Sequence, residues 1–234
     1  LDSSKLISAI KSFSVALNLN TETINALNVF PVPDGDTGTN MYLSVKYILE
    51  NLEEKDNKKS INALAKDIAK LSLLGARGNS GLILSQFFKG LSQSLENKNI
   101  LDSTSFAKCL DYATKNAYDS LPNPVEGTMI TVFRECADQA KLEIEKNSDL
   151  PELVSNVTKT SIESVRNTPK LLPVLDEADV IDSGGFGFAV MLTALMKLIT
   201  QDKSPLKKLE VPMPDSKSFS GKISKEFLSE HELD

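Results

Sequence analysis

Apolar residues recur along this chain at helical spacing, and the polar positions between them cluster as caps and turns. Leu6, Ile10, Phe13 and Leu17 share one face of a helix running from about Ser3 to Leu17, started by Asp2 or Ser3. Thr21 is a good N-cap for a short second helix ending near Leu27. A helical run from Met41 carries Val45, Ile48 and Leu52 inward and ends at the charged stretch Glu53-Glu54-Lys55-Asp56. Ser60 caps the next stripe, Ile61, Leu64, Ile68 and Leu71, and a glycine turn then leads into Leu84, Phe87, Phe88 and Leu91. Asp102 or Ser103 opens a helix facing inward through Phe106, Leu110, Ala113 and Ala117, which stops at Leu121-Pro122-Asn123-Pro124. Val132, Cys136, Ala140 and Ile144 mark a long helix. Asp149 with Pro151 starts another, through Leu153, Val157 and Val165, and Thr168-Pro169 repeats that cap-plus-proline signal. A final apolar helix carries Met191, Leu192, Leu195 and Leu198.

No alternating strand pattern occurs before residue 200. The pattern therefore predicts an all-α fold, a bundle of eight or nine antiparallel amphipathic helices joined by short loops. It divides the chain into a helical domain over 1–200 and a polar, proline-bearing linker or tail over 201–234, leading toward domains further downstream.

Composition narrows the chemistry. The chain has 234 residues, 41% of them hydrophobic, and a net charge of −6, with no basic stripe to hold nucleic acid. No run approaches the roughly 18 apolar residues of a transmembrane helix. The N-terminus lacks a basic flank with an apolar signal region, so a cytoplasmic location is expected. Cys109 and Cys136 sit among apolar residues and read as buried free thiols. The single histidine, His231, lies in the polar tail, which weakens triad hydrolases and histidine-ligated metal enzymes.

Candidate chemistry gathers in four small-residue turns. The first is Asn28-Val29-Phe30-Pro31-Val32-Pro33-Asp34-Gly35-Asp36-Thr37-Gly38-Thr39-Asn40. Its prolines keep the backbone extended and deliver Asp34 and Asp36 to a helix N-terminus. Two carboxylates there can gather Mg²⁺, while N–H groups of Thr37 to Asn40 can hold the phosphates that share the metal. The competing reading is a surface turn whose aspartates only cap a helix. An EF-hand fits worse, because Gly38 and Val45 stand where oxygen ligands are needed. An aspartate-nucleophile phosphatase fits worse too, because no buried strand precedes the pair. The other turns are Gly75-Ala76-Arg77-Gly78-Asn79-Ser80-Gly81, Pro124-Val125-Glu126-Gly127-Thr128-Met129 and Asp182-Ser183-Gly184-Gly185-Phe186-Gly187. In an up-and-down arrangement all four can share one rim, made electropositive by helix dipoles alone.

The first turn, together with Gly75 to Gly81 and Asp182 to Gly185, resembles the L-type nucleotide-binding domain of dihydroxyacetone kinases. The Pro-Val-Pro form is most similar to the N-terminal domain of the bacterial fatty acid kinase ATP-binding subunit. The resemblance spans roughly residues 1–200. It implies a barrel of eight antiparallel helices that holds ATP or ADP with two Mg²⁺ ions at one rim. It places the metal on Asp34 and Asp36. The dihydroxyacetone kinases carry a third upstream Asp, whose nearest equivalent here is Asn28, displaced by one residue. Phosphate contacts fall on Thr37, Gly38, Thr39 and Asn40 and on Gly78, Asn79 and Ser80. The adenine side falls on Gly127, Thr128, Met129 and the Gly184-Gly185 turn, which departs from the Asp-Pro-Gly-Ala form of those kinases. Arg77 is a candidate to neutralise developing charge, or else a solvent-facing cation.

The activity so implied is phosphoryl transfer from ATP to the carboxylate of a fatty acid delivered by a separate fatty-acid-carrying protein. The product is an acyl phosphate, destined for phospholipid synthesis. A homodimer of the full-length protein is compatible with the sequence. Three alternatives remain open at this point: a dihydroxyacetone-type sugar kinase, a metal-dependent phosphatase, and a non-catalytic lipid-binding helical bundle.

Overall fold

A computed structural model describes residues 1–52, 56 and 58–213. The acidic stretch 53–55 and the tail from 214, with His231, lie outside the described residues. Among the described residues the chain is all-helical: α1 (Ser3–Ala26), α2 (Thr37–Asn51), α3 (Ile61–Leu74), α4 (Gly78–Ser94), α5 (Ser103–Ser120), α6 (Met129–Glu145), α7 (Leu150–Leu171), α8 (Pro173–Glu177) and α9 (Ser183–Ile199). Helices α1 to α7 pack side by side in sequence order, α9 follows against α7, and it returns against α1 to close the ring. No helix among them is long and apolar enough to cross a membrane.

The expected caps account for most of the helix starts. Asp2, Ser60, Asp102 and Asp149 each accept a backbone N–H three residues on. Two boundaries differ from the sequence pattern, for the same reason. Thr21 does not start a second helix, because its hydroxyl donates back to the Leu17 carbonyl at 2.8 Å and Asn20 Nδ2 donates to that of Ala16 at 2.8 Å. Their side chains are spent one turn back, so α1 runs on to Ala26. Pro169 does not start a helix either but sits inside α7. A proline there leaves the Val165 carbonyl without its usual N–H donor. The Thr168 hydroxyl donates to that carbonyl at 2.7 Å and replaces it.

The core runs through the whole ring and includes the fully buried Phe88, Phe106, Phe133, Phe186 and Phe188. Phe188 meets Phe87 edge-on at 5.4 Å between centroids and Phe133 at 4.5 Å. Every residue from Val180 to Leu192 is buried, so the first turns of α9 are enclosed on all sides. Cys109 and Cys136 are buried free thiols, and burial pushes both well above the ordinary thiol range.

The expected linker is partly structured. Leu206, Leu209, Val211 and Met213 pack against the core and Pro212 is buried. The Leu209 N–H donates to Asn20 Oδ1 at 2.8 Å. Buried Asn20 therefore works both ways, holding its own helix and strapping the chain after α9 onto α1.

Glu143 is 1% exposed yet ionised. Ser148 Oγ donates to it at 2.7 Å, Lys146 Nζ approaches to 3.0 Å and Gln139 Nε2 donates at 2.7 Å. The Ser148 bond first, and then that of Lys146, hold its carboxyl at about 2, below the ordinary 4.5. A depressed folded-state value stabilises the protein above the ordinary value and loses that contribution as pH falls from about 4.5 toward 2. Glu143→Gln is therefore expected to cost on the order of 1–3 kcal/mol at pH 7 in urea unfolding. The difference from native should shrink steadily below pH 4.

Candidate nucleotide site at the helix rim

One cavity of about 520 Å³ is lined from four helix starts at once. It takes Asp36, Thr37 and Asn40 from α2 and its cap, and Gly78, Asn79 and Ser80 from α4. Thr128 and Met129 come from α6, and Asp182, Ser183 and Gly184 from α9. Because these four helices begin at the cavity, α1, α3, α5 and α7 run the other way. The short α8 keeps α9 in register with α2, α4 and α6.

The starts are tied to one another by named bonds. Asn25, near the end of α1, accepts the Gly38 and Thr39 N–H groups on Oδ1 at 2.8 and 3.1 Å and donates to Thr39 Oγ1 at 3.0 Å. Gly38 makes this approach available: a Cβ there would collide with the Thr21 carbonyl and lie 2.9 Å from Ile24 Cβ. Ser44 Oγ donates to the Asn40 carbonyl at 2.7 Å and accepts the Arg77 N–H at 3.0 Å, joining α2 to α4. Ser183 Oγ donates to Thr37 Oγ1 at 3.3 Å, joining α9 to α2.

Asp34 is exposed and Asp36 half-buried, side by side at the cavity. Partial burial raises the Asp34 carboxyl above its ordinary range, and the Asp36 charge raises it further. Such a pair gains from a divalent cation between its oxygens. Among the described residues no group of three or more Asp, Glu, His or Cys side chains gathers in metal-binding fashion. The set fits Mg²⁺, which usually keeps waters and phosphate oxygens around one or two carboxylates.

Asn28 lines the cavity, but its amide is spent within the loop. Oδ1 accepts both the Thr37 N–H at 3.2 Å and the Thr37 hydroxyl at 2.7 Å, and Nδ2 donates to the Val32 carbonyl at 2.9 Å. A metal would have to displace Thr37 to reach that oxygen. At α2 the Thr37, Gly38 and Thr39 N–H groups are already taken by Asn28 and Asn25, and Asn40 N–H by the Asp36 carbonyl. At α4 no side chain caps the start, and the first intrahelical bond is that of Gly81 N–H to the Arg77 carbonyl. Helix geometry leaves the Gly78, Asn79 and Ser80 N–H groups free to receive an anion.

Gly38, Thr39, Gly127 and Gly185 do not line the cavity. Arg77 does not line it either; exposed, it stands one residue ahead of Gly78. Phe30, Val32, Ile83, Leu121 and Val125 add an apolar wall to the cavity, of which Ile83 and Leu121 stand outside the four turn motifs. Asp182, part of the fourth turn but given no role of its own by the sequence, also lines the cavity. It is 5% exposed, caps α9 by accepting the Gly185 N–H at 2.6 Å, and faces the Met129 N–H. Burial outweighs those bonds and pushes its carboxyl up to about 7.

The chain belongs to the DAK2 domain family, whose model matches residues 31–197. It is 41% identical over 191 residues to the YloV protein of Bacillus subtilis, covering 82% of this chain and 34% of that one. It is 39% identical over 214 residues to an uncharacterised protein of Staphylococcus saprophyticus, covering 90% of this chain and 39% of that one. The chain thus spans little more than a third of the curated relatives it matches. Its fold is similar to that of the C. freundii dihydroxyacetone kinase in complex with AMP-PNP and Mg²⁺ (TM-score 0.63, 18% identity, 84% of this chain and 34% of that one). The native form of that kinase matches at a TM-score of 0.61 and 17% identity, over 84% of this chain and 35% of that one.

Proposed function

We propose that the chain binds Mg²⁺–ATP in this cavity. In its longer context it passes the γ-phosphoryl group to the carboxylate of a fatty acid presented by a separate carrier protein. The observation that carries the proposal is the placing of Asp34 and Asp36 in one cavity with the starts of α2, α4, α6 and α9. Family membership supports it, as does a same-fold kinase crystallised with AMP-PNP and Mg²⁺. The fatty acid acceptor rests on the Pro31-Val32-Pro33 form of the loop and its resemblance to fatty acid kinase subunits.

Asp34 and Asp36 would hold two cations, with Asn28 as a further ligand once released from Thr37. Bound Mg²⁺ would neutralise charge across the β- and γ-phosphates. The free N–H groups of Gly78, Asn79 and Ser80 hold phosphate oxygens, helped by the Thr37 hydroxyl and the α2 dipole. The adenine lies toward Gly127, Thr128, Met129 and the Gly184-Gly185 turn, against the apolar wall. A carboxylate acceptor is ionised at neutral pH and needs no general base. Its oxygen bonds to the γ-phosphorus as the bond from that phosphorus to the β–γ bridging oxygen breaks, and ADP leaves. Positioning and charge neutralisation do the catalysis, as in other phosphoryl transfers. Arg77, exposed one residue ahead of Gly78, would have to swing over the mouth to act.

The fold likeness to dihydroxyacetone kinases favours a second reading, in which the acceptor is a small ketose. Hydroxylamine trapping separates the two. With ATP, Mg²⁺ and a fatty acid on its carrier, the longer protein should yield a hydroxamate and one ADP per acyl phosphate. Phosphorylation of dihydroxyacetone without hydroxamate would replace the acyl reading. Phosphate release from monoesters without nucleotide would replace both with a phosphatase.

A further inference from the structure

The loop between α5 and α6 forms one wall of the cavity through Leu121, Pro122, Asn123, Val125 and Thr128. A carboxylate that does not line the cavity holds this loop. Tyr118, in the last turn of α5, donates its hydroxyl to Glu126 Oε1. Thr131 Oγ1, at the start of α6, donates to Glu126 Oε2 at 2.6 Å, and Arg134 Nη2 donates to the same oxygen at 2.9 Å. Thr131 Oγ1 in turn accepts the Gly127 N–H at 2.8 Å. One carboxylate thus ties the end of α5 to the start of α6 and reaches the loop backbone through a hydroxyl relay.

The loop has little room to settle elsewhere. Gly127 has φ +85°, and a Cβ there would lie 2.7 Å from Leu172 Cβ and 3.0 Å from the Thr168 carbonyl. A lone exposed ion pair such as Arg134–Glu126 contributes little by itself. Three donors converging on one carboxylate define a geometry instead. The ties on the metal and phosphate side, through Asn25, Asn28 and Ser44, share no residue with this network.

We propose that Glu126 is a positioning residue of the nucleotide site, setting the 121–128 loop at the distance that accepts the nucleobase while leaving the metal and phosphate side untouched. The proposal rests on the nucleotide-binding reading given above. It predicts that damage at Glu126 falls on the base-bearing part of a ligand alone.

The test is calorimetry on the native chain and on Glu126→Ala, Glu126→Gln and Tyr118→Phe, each with Mg²⁺–ADP and with Mg²⁺–tripolyphosphate, which has no base. Glu126→Ala should weaken ADP about tenfold, in the range of losses seen when supporting-shell residues are removed, and leave tripolyphosphate within about twofold. Glu126→Gln keeps an acceptor oxygen and should return ADP affinity to within about threefold of native. Tyr118→Phe should move in the same direction by a smaller factor. If Glu126→Ala does not fold, the ADP-to-tripolyphosphate ratio in the other two variants decides. Equal losses for both probes would mean general damage and overturn the proposal. Unchanged ADP affinity in the variants would overturn it as well, with native binding of both probes still supporting the site itself. A native chain that binds neither probe would overturn the site reading and this inference together.

Discussion

Replacing Asp34 and Asp36 together by alanine is expected to weaken Mg²⁺-dependent ADP binding by on the order of 100-fold or more, about 2.7 kcal/mol. The helical content should stay intact. Neither carboxylate holds up the fold: Asp34 is exposed, and Asp36 makes no side-chain bond to cap α2. The start of α2 is fastened by Asn25 and Asn28 instead. What the pair contributes is negative charge at a cavity otherwise surrounded by positive helix ends. Removing it should abolish the difference between titrations with and without Mg²⁺. Circular dichroism of the double variant, matching native, would show that the loss is local. Unchanged ADP affinity would remove the metal assignment.

The second large effect concerns stability rather than binding. The Asp182 carboxyl is pushed to about 7 in the folded chain, chiefly by burial, against an ordinary 3.8. A raised folded-state value means that the group favours folding while protonated. Its contribution is complete below about 4 and is lost as pH rises through about 7. Above that, an ionised carboxylate is held in a dry wall. Asp182→Asn keeps an acceptor oxygen for the Gly185 N–H and removes the charge. It should stabilise the protein at pH 8 by on the order of 2–4 kcal/mol and match native near pH 4. Urea unfolding across this range checks both limits, and identical pH profiles for the two proteins would contradict it. With Glu143 acting at the acid end, these two groups place the stability maximum at about pH 4 to 4.5, where Glu143 is ionised and Asp182 is still protonated.

Helical periodicity and capping residues made most of the fold legible, because both act within a few positions. The rim followed from counting helices, once α1 proved continuous and α8 restored the alternation. Features set by distant partners were not legible. Thr21 and Thr168 look like caps, and only the carbonyl one turn back that each hydroxyl reaches shows why they are not. Asn25 reads as an ordinary polar position near a helix end, yet it takes two N–H groups thirteen and fourteen residues away. Asp182 carried a faint signal, since an N-cap Asp between Val180-Ile181 and Phe186 is poorly placed to reach water. Leu209 reads as linker because what holds it is Asn20, far back in α1.

The account depends most directly on whether the rim takes a magnesium nucleotide. Calorimetry of this chain with ADP and with AMP-PNP, each with and without Mg²⁺, measures that alone. The expected result is one site per chain whose affinity rises by at least about tenfold when Mg²⁺ is added. Absence of binding to either nucleotide, or equal affinity without the metal, would contradict it.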